Sequence, residues 1–378
     1  MRRLCLLVTL FMFVACENKR GDNAMEGVLN INLEVDNVIK NGIITDISDS
    51  VFVIPLQDVP LGMVYDLKVY DNLIAILQGG QGVVDFFDFS GKQINLLNRK
   101  GRGAGEYTDL NSVAMFQNNN TVAIATLNDI MYYTFPDLEY LYTDTMQIYS
   151  SPRISTLNDS MLLMLEDGQR DWALEIVKNR EQMVVTKLTH PEEWCSSVNE
   201  DLFVLNSDTT MIYRVVSSGE LLPVVCVNFG NYAISENRFR DDTTNGMLIA
   251  NLTNEVRTLN KAGFVHFPVV NDEKIAFMYT KGTNLYGDSR MYVHDVATGR
   301  SVNYETLSVS GVWPNLTVYG TYKDFFVTLI IPETCIIDEE DELNLDPIVG
   351  QKILKEKQGV KKASDIAHPL LVFFRPKV

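Results

Sequence analysis

The sequence predicts an all-β protein, a six-bladed β-propeller with two short helical insertions and a ring closed by strands from both ends of the chain. The chain has 378 residues and 46% of them are apolar, which is enough for a large buried core. Short runs rich in Val, Ile, Leu, Phe and Tyr alternate with turns of Gly, Asn, Asp and Ser, as in a many-stranded protein. The runs group into four-stranded units with a period of about 35 to 50 residues, which is typical of propeller blades.

The N-terminus predicts export and a lipid anchor. "MRRLCLLVTLFMFVAC" has a basic start, an apolar run from Leu4 to Val14 that is too short to span a bilayer, and Ala15 before Cys16. The ending "FVAC" is similar to a bacterial lipobox, in which the cysteine is lipidated and becomes the new N-terminus. An ordinary cleaved signal peptide with an incidental cysteine is the alternative.

The predicted domain boundaries follow from this signal. They are a lipoprotein signal peptide over 1–15, a polar tether over 16–27 and the six-bladed propeller domain over 28–378. We expect the lipid on Cys16 to attach the protein to the cell envelope, at the periplasmic or the surface face of the outer membrane.

The net charge argues against a nucleic-acid partner, and the cysteine content argues against a disulfide framework or a cysteine metal site. The net charge is −17, from 32 basic and 49 acidic residues, and such a chain is repelled by nucleic-acid backbones. We therefore expect no nucleic-acid partner. Cys195, Cys226 and Cys335 remain after processing, and these three thiols cannot all pair and lack the C-x-x-C spacing of a metal site. Stability must come from the core and not from disulfides.

The first unit can be followed strand by strand. Its strands are predicted at "MVYDLKVYD", "LIAILQ", "VVDFFDF" and "QINLLNR". The turns between them are short, and short hairpins force antiparallel neighbours. The second unit has strands near 112–116, 121–126, 130–135 and 140–146, and a third, a fourth and a fifth unit repeat the pattern.

The sixth unit begins at "VWPNLTVYGTYKDFFVTLIIP" and lacks its later strands locally. The C-terminal "HPLLVFFRPKV" can supply one of them, and either "GVLNINLEV" or "SVFVIPL" near the N-terminus can supply the last. Such a closure ties the two ends together and removes open sheet edges. Two further segments, 235–260 and 335–365, have helical spacing in part and are predicted to be insertions between strands.

The stretch "NRKGRGAGEYTDL" carries alternating glycines, Gly101, Gly103 and Gly105, among three cations. A phosphate-binding loop is one interpretation. Such a loop presents its N–H groups at the start of a helix, however, and here the strand pattern "SVAMFQNNNTVAIA" follows. The glycines are better explained by a turn between two blades that needs positive φ angles and a close approach of the backbone.

The same stretch, with "FDFSGKQINLL" before it, resembles the six-bladed β-propeller lipoproteins of Gram-negative anaerobes, relatives of the NHL-repeat and TolB-like propellers. The three glycines, Glu106 and Tyr107 match the motif of that family, and Ala104 stands where proline is usual. "VIPLQD", "LLPVVCVNFGNYAI" and "HPLLVFFRPK" resemble other strands of the family. The resemblance implies a six-bladed fold and an exported location, and it implies no defined activity.

Propeller topology predicts a binding face. The connections between the second and third strands of a blade lie on the same face as those between its fourth strand and the next blade. This face is predicted to carry the 99–107 loop, the 281–290 loop and both insertions. Its aromatic, cationic and carboxylate groups suit stacking and charged hydrogen bonds. The binding candidates are Arg99, Arg102, Glu106, Tyr107, Tyr286, Asp288 and Arg290.

No catalytic residue is predicted. The four histidines are not spaced as a ligand pair, and no G-x-S-x-G nucleophile elbow occurs. The hypothesis of a Ca²⁺ or Mg²⁺ ion held by carboxylates in the central channel remains an alternative, and no ligands are assigned to it. No other cofactor is identified.

Two functions remain. The favoured one is a lipid-anchored module of the cell envelope that binds a ligand or another protein, with a carbohydrate, a peptide or an envelope protein as partner. The alternative is a metal-dependent propeller enzyme of the lactonase or hydrolase type. A cluster of inward-facing carboxylates that holds a metal would distinguish the second function from the first.

Overall fold

Six sheets, each with four antiparallel strands, make up the described part of the protein in a computed structural model, as the sequence predicts. The structure describes residues 27–57, 59–117, 120–145, 153–157, 160–166, 172–178, 181–188, 196–198, 201–206, 210–216, 220–233, 260–282, 289–337, 342, 345–360 and 367–378. Each sheet has four strands that follow one another from the propeller axis outward. Two sheets carry a fifth strand, which pairs in parallel at the outer edge.

The first two blades are built from consecutive hairpins. The strands of the first blade are β4 (Val64–Tyr70), β5 (Leu73–Gln78), β6 (Val83–Phe87) and β7 (Gln93–Leu97). Those of the second blade are β8 (Ser112–Phe116), β9 (Thr121–Ala125), β10 (Asp129–Thr134) and β11 (Tyr140–Thr145). Every strand predicted for these two units is present.

The next three blades repeat this order. The third blade has β12 (Arg153–Leu157), β13 (Ser160–Glu166), β14 (Trp172–Lys178) and β15 (Glu181–Leu188). The fourth has β16 (Ser196–Val198), β17 (Asp201–Asn206), β18 (Met211–Val215) and β19 (Leu221–Asn228). The fifth has β20 (Ala262–Val270), β21 (Lys274–Lys281), β22 (Ser289–Asp295) and β23 (Ser301–Ser308).

The sixth blade combines the two ends of the chain. Its strands are β24 (Val318–Tyr322), β25 (Phe325–Ile330), β26 (Leu370–Pro376) and β3 (Ser48–Pro55). "SVFVIPL" therefore supplies the last strand. The rings of Phe52 and Phe373 stack across this closing pair, with centroids 4.4 Å apart, which adds aromatic packing to the ladder.

The segment "GVLNINLEV" has a role that the sequence did not indicate. It forms β1 (Leu29–Asn32), which pairs in parallel with β19 as the fifth strand of the fourth blade. β2 (Ile39–Ile43) pairs in parallel with β23 in the same way. The N-terminal segment thus covers the outer edges of the fourth and fifth blades before β3 completes the sixth blade, and covered edges cannot pair with other chains.

One α-helix lies within the described residues, α1 (Gly350–Gly359). It confirms a helical part of the 335–365 insertion, and its Ile353 is fully buried. The described part of the chain also contains two short 3₁₀-helices, Gly230–Tyr232 and Pro332–Thr334. The 235–260 insertion, apart from its last residue, lies outside the described residues. No helix in the described part of the chain is long and apolar enough to cross a membrane.

Strand alternation divides the connections between two faces. We call the upper face the one with the second-to-third connections and the connections to the next blade. The other connections form the lower face. Side chains join loops of the same face: on the upper face the Leu127 N–H donates to Asp109 Oδ1 at 2.7 Å, and on the lower face Lys323 Nζ lies 3.1 Å from Asp71 Oδ1.

Candidate functional site

Large apolar side chains are most exposed on the upper face. Among the described residues the four most exposed are Met63, Trp313, Ile336 and Tyr65, at 69%, 62%, 54% and 52%. Met63 and Trp313 lie in connections to the next blade, Ile336 follows β25, and Tyr65 is at the start of β4. Grouped exposed apolar side chains mark interaction sites more often than scattered ones do. The upper face is therefore the candidate site.

Trp313 and Ile336 flank an open cleft of about 400 Å³. Their backbones are joined by two hydrogen bonds: the Trp313 N–H donates to the Ile336 carbonyl at 3.0 Å, and the Ile336 N–H donates to the Trp313 carbonyl at 2.7 Å. The 308–312 segment forms another wall, with a turn closed by the bond from the Val312 N–H to the Val309 carbonyl at 3.1 Å. The tryptophan backbone is thus fixed while its ring is exposed.

The cleft also has polar groups from the outer edge of the fifth blade. Asn41 of β2 reaches the cleft beside Ser308, and its Oδ1 accepts a hydrogen bond from the Ser308 hydroxyl at 2.7 Å. Asn41 is exposed and Ser308 is buried, so the buried hydroxyl orients the exposed carboxamide. The described lining of the cleft contains no charged side chain.

Met63 and Tyr65 form the second apolar group of the face. The Tyr65 ring lies flat against Gly79, where a Cβ atom would come within 2.3 Å of the ring. The Gly79 N–H donates to the Met63 carbonyl at 3.0 Å. Glycine at position 79 is thus required by the close approach of the exposed ring, and the contact holds Tyr65 in place.

A buried polar chain supports this loop from inside the first blade. The Gly62 N–H donates to Gln78 Oε1 at 2.7 Å, and Gln78 Nε2 donates to Asp85 Oδ2 at 2.5 Å. Gln93 Nε2 donates to the other carboxylate oxygen, Oδ1, at 2.7 Å. Burial raises the pKa of Asp85, and the two glutamine hydrogen bonds offset part of that shift. These hydrogen bonds therefore connect the buried Asp85 carboxyl to the loop that carries Met63.

The loop of the predicted motif is built into the junction of the first two blades. Tyr107 is buried, its hydroxyl donates to the Leu97 carbonyl at 3.1 Å, and burial raises its pKa. Arg99 donates through Nη2 to the Leu138 carbonyl at 3.0 Å, with its guanidinium 5.9 Å from the centre of the Tyr133 ring. Four of the predicted binding residues lie in this loop: Arg99, Arg102, Glu106 and Tyr107. Among the described residues of the loop, Arg102 and Glu106 are the two candidates that are exposed and make no contact to the second blade.

The three glycines of this loop serve two different needs. Gly105 has φ +72°, and a Cβ atom there would lie 2.6 Å from Cγ of Tyr140. Gly101 and Gly103 do not have a positive φ. They lie against the Glu106 carboxylate, which accepts the Gly103 N–H at 2.7 Å and would be 2.0 Å from a Cβ on Gly101. The predicted turn is confirmed, with positive φ at one glycine and close approach at the others.

The 281–290 loop is described only at its two ends. Arg290 is 8% exposed, and its guanidinium donates to the Val35 carbonyl at 2.8 Å and to Glu305 Oε1 at 2.9 Å. Its position thus differs from the exposed rim that the sequence suggested, because β22 directs it beneath the N-terminal segment. Tyr286 and Asp288 lie outside the described residues.

Lys281 holds the same N-terminal segment. Its Nζ lies 2.8 Å from Asp36 Oδ1 and 4.4 Å from the centre of the Tyr232 ring. The hydrogen bond from Lys281, with a second from the Tyr232 hydroxyl, holds the pKa of Asp36 below its usual value. Lys281 and Arg290 thus attach the segment between β1 and β2 to the upper part of the fifth blade.

The described residues contain no group of three or more His, Cys, Asp or Glu side chains that could hold a metal ion. The described ranges therefore give no ligand set for the Ca²⁺ or Mg²⁺ of the channel that the sequence left open. Cys226 and Cys335 are buried and form no disulfide within the described ranges, and Cys195 lies outside those ranges.

Comparison with known proteins identifies the architecture. Residues 20–321 match the model of a family described as 6-bladed beta-propeller, DUF5128. No curated protein matches the sequence.

Two solved structures from Bacteroides are among those similar to this chain. One, described as an exported protein of Bacteroides fragilis NCTC 9343, is similar with a TM-score of 0.66 and 17% identity, over 93% of this chain and 99% of that one. A member of the duf4221 family from Bacteroides vulgatus ATCC 8482 is similar with a TM-score of 0.49 and 8% identity, over 87% and 97% of the two chains. At this identity the first similarity shows a shared fold.

Proposed function

The chain belongs to this family of six-bladed β-propellers, and from that premise we propose that it is an exported, lipid-anchored binding module of the cell envelope. Its ligand or protein partner binds on the upper face. One observation carries the proposal: the four most exposed large apolar side chains of the described residues all lie on that face. Water-exposed apolar area is removed from water when a partner covers it, and this burial drives association.

Export is supported by two independent observations. The N-terminus has the basic, apolar and Ala15-Cys16 order of a lipoprotein signal. The similar Bacteroides fragilis protein is described as exported. We expect Cys16→Ala to leave an unlipidated precursor, detected by a lower mobility on gels and by loss of labelled palmitate. Unchanged processing and membrane association in the variant would contradict the lipid anchor.

The binding face is tested with matched surface variants. Met63→Ser and Trp313→Ser remove exposed apolar groups from the upper face. Val296→Ser, at 40% exposure in the third-to-fourth connection of the fifth blade, does the same on the lower face. The full-length protein is screened against arrays of neutral glycans, acidic glycans and peptides, and against outer-membrane extract.

We expect any partner found in this screen to lose affinity with one or both upper-face variants and to keep it with Val296→Ser. All three positions are exposed, so the variants should fold alike, and circular dichroism melting curves check this. If a partner bound Met63→Ser and Trp313→Ser as tightly as the wild type and lost its affinity for Val296→Ser, the binding site would lie on the lower face.

A further inference from the structure

We propose that the cleft beside Trp313 binds one pyranose ring of a neutral glycan. The proposal rests on the proposed function, because the cleft is part of the upper face, and it adds the chemical class of the ligand. Three properties of the cleft carry it. They are an exposed aromatic ring on a fixed backbone, an oriented carboxamide whose nitrogen has no acceptor among the described residues, and a described lining without charged side chains.

The indole of Trp313 is available for stacking. It is 62% exposed, and no described side chain stacks on it or pairs with its Nε1. Its main-chain N–H and carbonyl are both bonded to Ile336. A pyranose presents its C–H groups on one flat side, and that side can cover an indole without loss of the hydroxyl hydrogen bonds at its edge. The large apolar ring then leaves water while its N–H keeps a hydroxyl partner.

Asn41 supplies the polar part of the recognition. Its Oδ1 accepts hydrogen bonds from the buried Ser308 hydroxyl at 2.7 Å and from the Thr306 hydroxyl at 3.4 Å, and these two contacts orient the carboxamide. No described residue accepts a hydrogen bond from Nδ2 of Asn41. A sugar hydroxyl can accept from this group and donate elsewhere in the cleft. Because the carboxamide is already oriented, a ligand loses little side-chain freedom on binding.

The absence of charge in the described lining selects among ligands. A phosphate or carboxylate is normally held by Arg, Lys or several N–H groups, and a cationic ligand needs a carboxylate. The described lining offers neither, although the chain has 49 acidic residues. Its volume of about 400 Å³ is at the small end of the range of about 300–1,000 Å³ for small-molecule sites, so it suits one sugar ring.

A peptide strand fits this cleft less well. Strand addition needs a free row of backbone N–H and carbonyl groups. Here those of Trp313 are bonded to Ile336, and the Leu316 N–H donates to the Leu307 carbonyl at 2.7 Å. The Ser308 carbonyl accepts from the Ile44 N–H at 3.0 Å. These backbone groups at the cleft are thus already paired and cannot add a peptide strand, which favours recognition by side chains.

The test uses the lipidated protein in a detergent without a sugar headgroup. It is titrated with four neutral tetrasaccharides, which are maltotetraose, cellotetraose, xylotetraose and mannotetraose. Tetragalacturonate is the acidic comparison. Binding is followed by calorimetry and by the tryptophan fluorescence, to which exposed Trp313 contributes. The variants are Trp313→Ala, Trp313→Phe and Asn41→Asp, with Val296→Ala as the matched lower-face control.

We expect at least one neutral tetrasaccharide to bind, and Trp313→Ala to weaken it about tenfold or more, as for a central aromatic contact. Trp313→Phe should keep most of the affinity, Asn41→Asp should lower it, and Val296→Ala should not change it. No binding of any neutral tetrasaccharide, tighter binding of tetragalacturonate, or indifference to Trp313→Ala would each overturn the inference.

The outcome separates this inference from the proposed function. A peptide or envelope protein that binds through Trp313, with no glycan bound, would overturn the glycan site and leave the binding face intact. A partner lost only with the Val296 variant would overturn both.

Discussion

Gly105→Ala tests whether the glycine-rich loop is a structural junction between the first two blades. Gly105 has φ +72°, a conformation that costs an L-residue about 1–2 kcal/mol. The new Cβ would lie 2.6 Å from Cγ and 2.8 Å from Cβ of Tyr140. Tyr140 cannot move freely, because its ring packs edge-on against buried Tyr133, with centroids 5.9 Å apart. Overpacking of this kind costs about 1–3 kcal/mol.

Alanine also restricts the unfolded chain, which returns about 0.4–1 kcal/mol. We therefore expect Gly105→Ala to lower the free energy of unfolding by about 2–4 kcal/mol. With an m-value of about 3 kcal/mol/M, the urea midpoint falls by roughly 1 M. The measurement is urea unfolding followed by circular dichroism.

Two further glycines serve as controls. Gly80→Ala meets no atom within 4 Å and has no positive φ, so its midpoint should stay close to that of the wild type. Gly103→Ala brings a Cβ to 3.1 Å from the flexible end of Glu106, and a shift of a few tenths of a kcal/mol is expected. If Gly105→Ala were as stable as Gly80→Ala, the assignment of this loop to the blade junction would be wrong.

Two further predictions concern the buried chain behind Met63. Burial raises the pKa of Asp85 in the folded protein, so the folded state keeps the carboxyl proton to a higher pH than the unfolded chain does. The free energy of unfolding therefore falls as the pH rises from about 4, the pKa in the unfolded chain, through the raised pKa of the folded state. Asp85→Asn removes the titrating group and so this loss of stability, while rotation of the Gln93 amide keeps the hydrogen bond between the two side chains. The melting temperature of the variant relative to the wild type should therefore increase toward neutral pH. A difference that stays constant across pH would refute the raised pKa. Gln78→Leu leaves the Gly62 N–H and a carboxylate oxygen without a partner, and should cost about 2–4 kcal/mol in urea unfolding, whereas a neutral result would show that water replaces the side chain.

The regular blades were predictable because their signals are local. "LIAILQ" and "VVDFFDF" are separated by a four-residue glycine turn, and they form β5 and β6 within one hairpin. The strands at the two ends were predictable because the sixth unit lacked partners. In contrast, β1 and β2 are short and partly exposed, and their alternation does not specify which blade edge they join.

The site was harder to predict because exposure depends on packing between distant segments. Trp313 lies in "VWPNLTVYG", which reads as the approach to a strand, and its exposure follows from the bridge to Ile336. Tyr107 and Arg290 belong to types that are frequent in binding sites, yet the fold uses them to join blades and to hold the N-terminal segment. The sequence analysis missed the buried hydrogen bonds at Asp85, and a single acidic residue within the apolar run "VVDFF" is a signal that could have indicated them.

The position of the N-terminus predicts how the binding face is oriented at the membrane. β1 runs parallel to β19, with Leu29 opposite Val225, and β19 runs from the lower face toward the upper face. The chain from Cys16 therefore reaches the propeller from the lower side, over a tether of at most about 45 Å. The upper face should point away from a lipid-anchored surface, where a large partner can reach it. With a fluorophore on Val296→Cys or Leu127→Cys, which have similar exposures of 40% and 45% on opposite faces, brominated lipids should quench the label at 296 more strongly. Stronger quenching at 127 would place the upper face against the membrane and contradict this orientation.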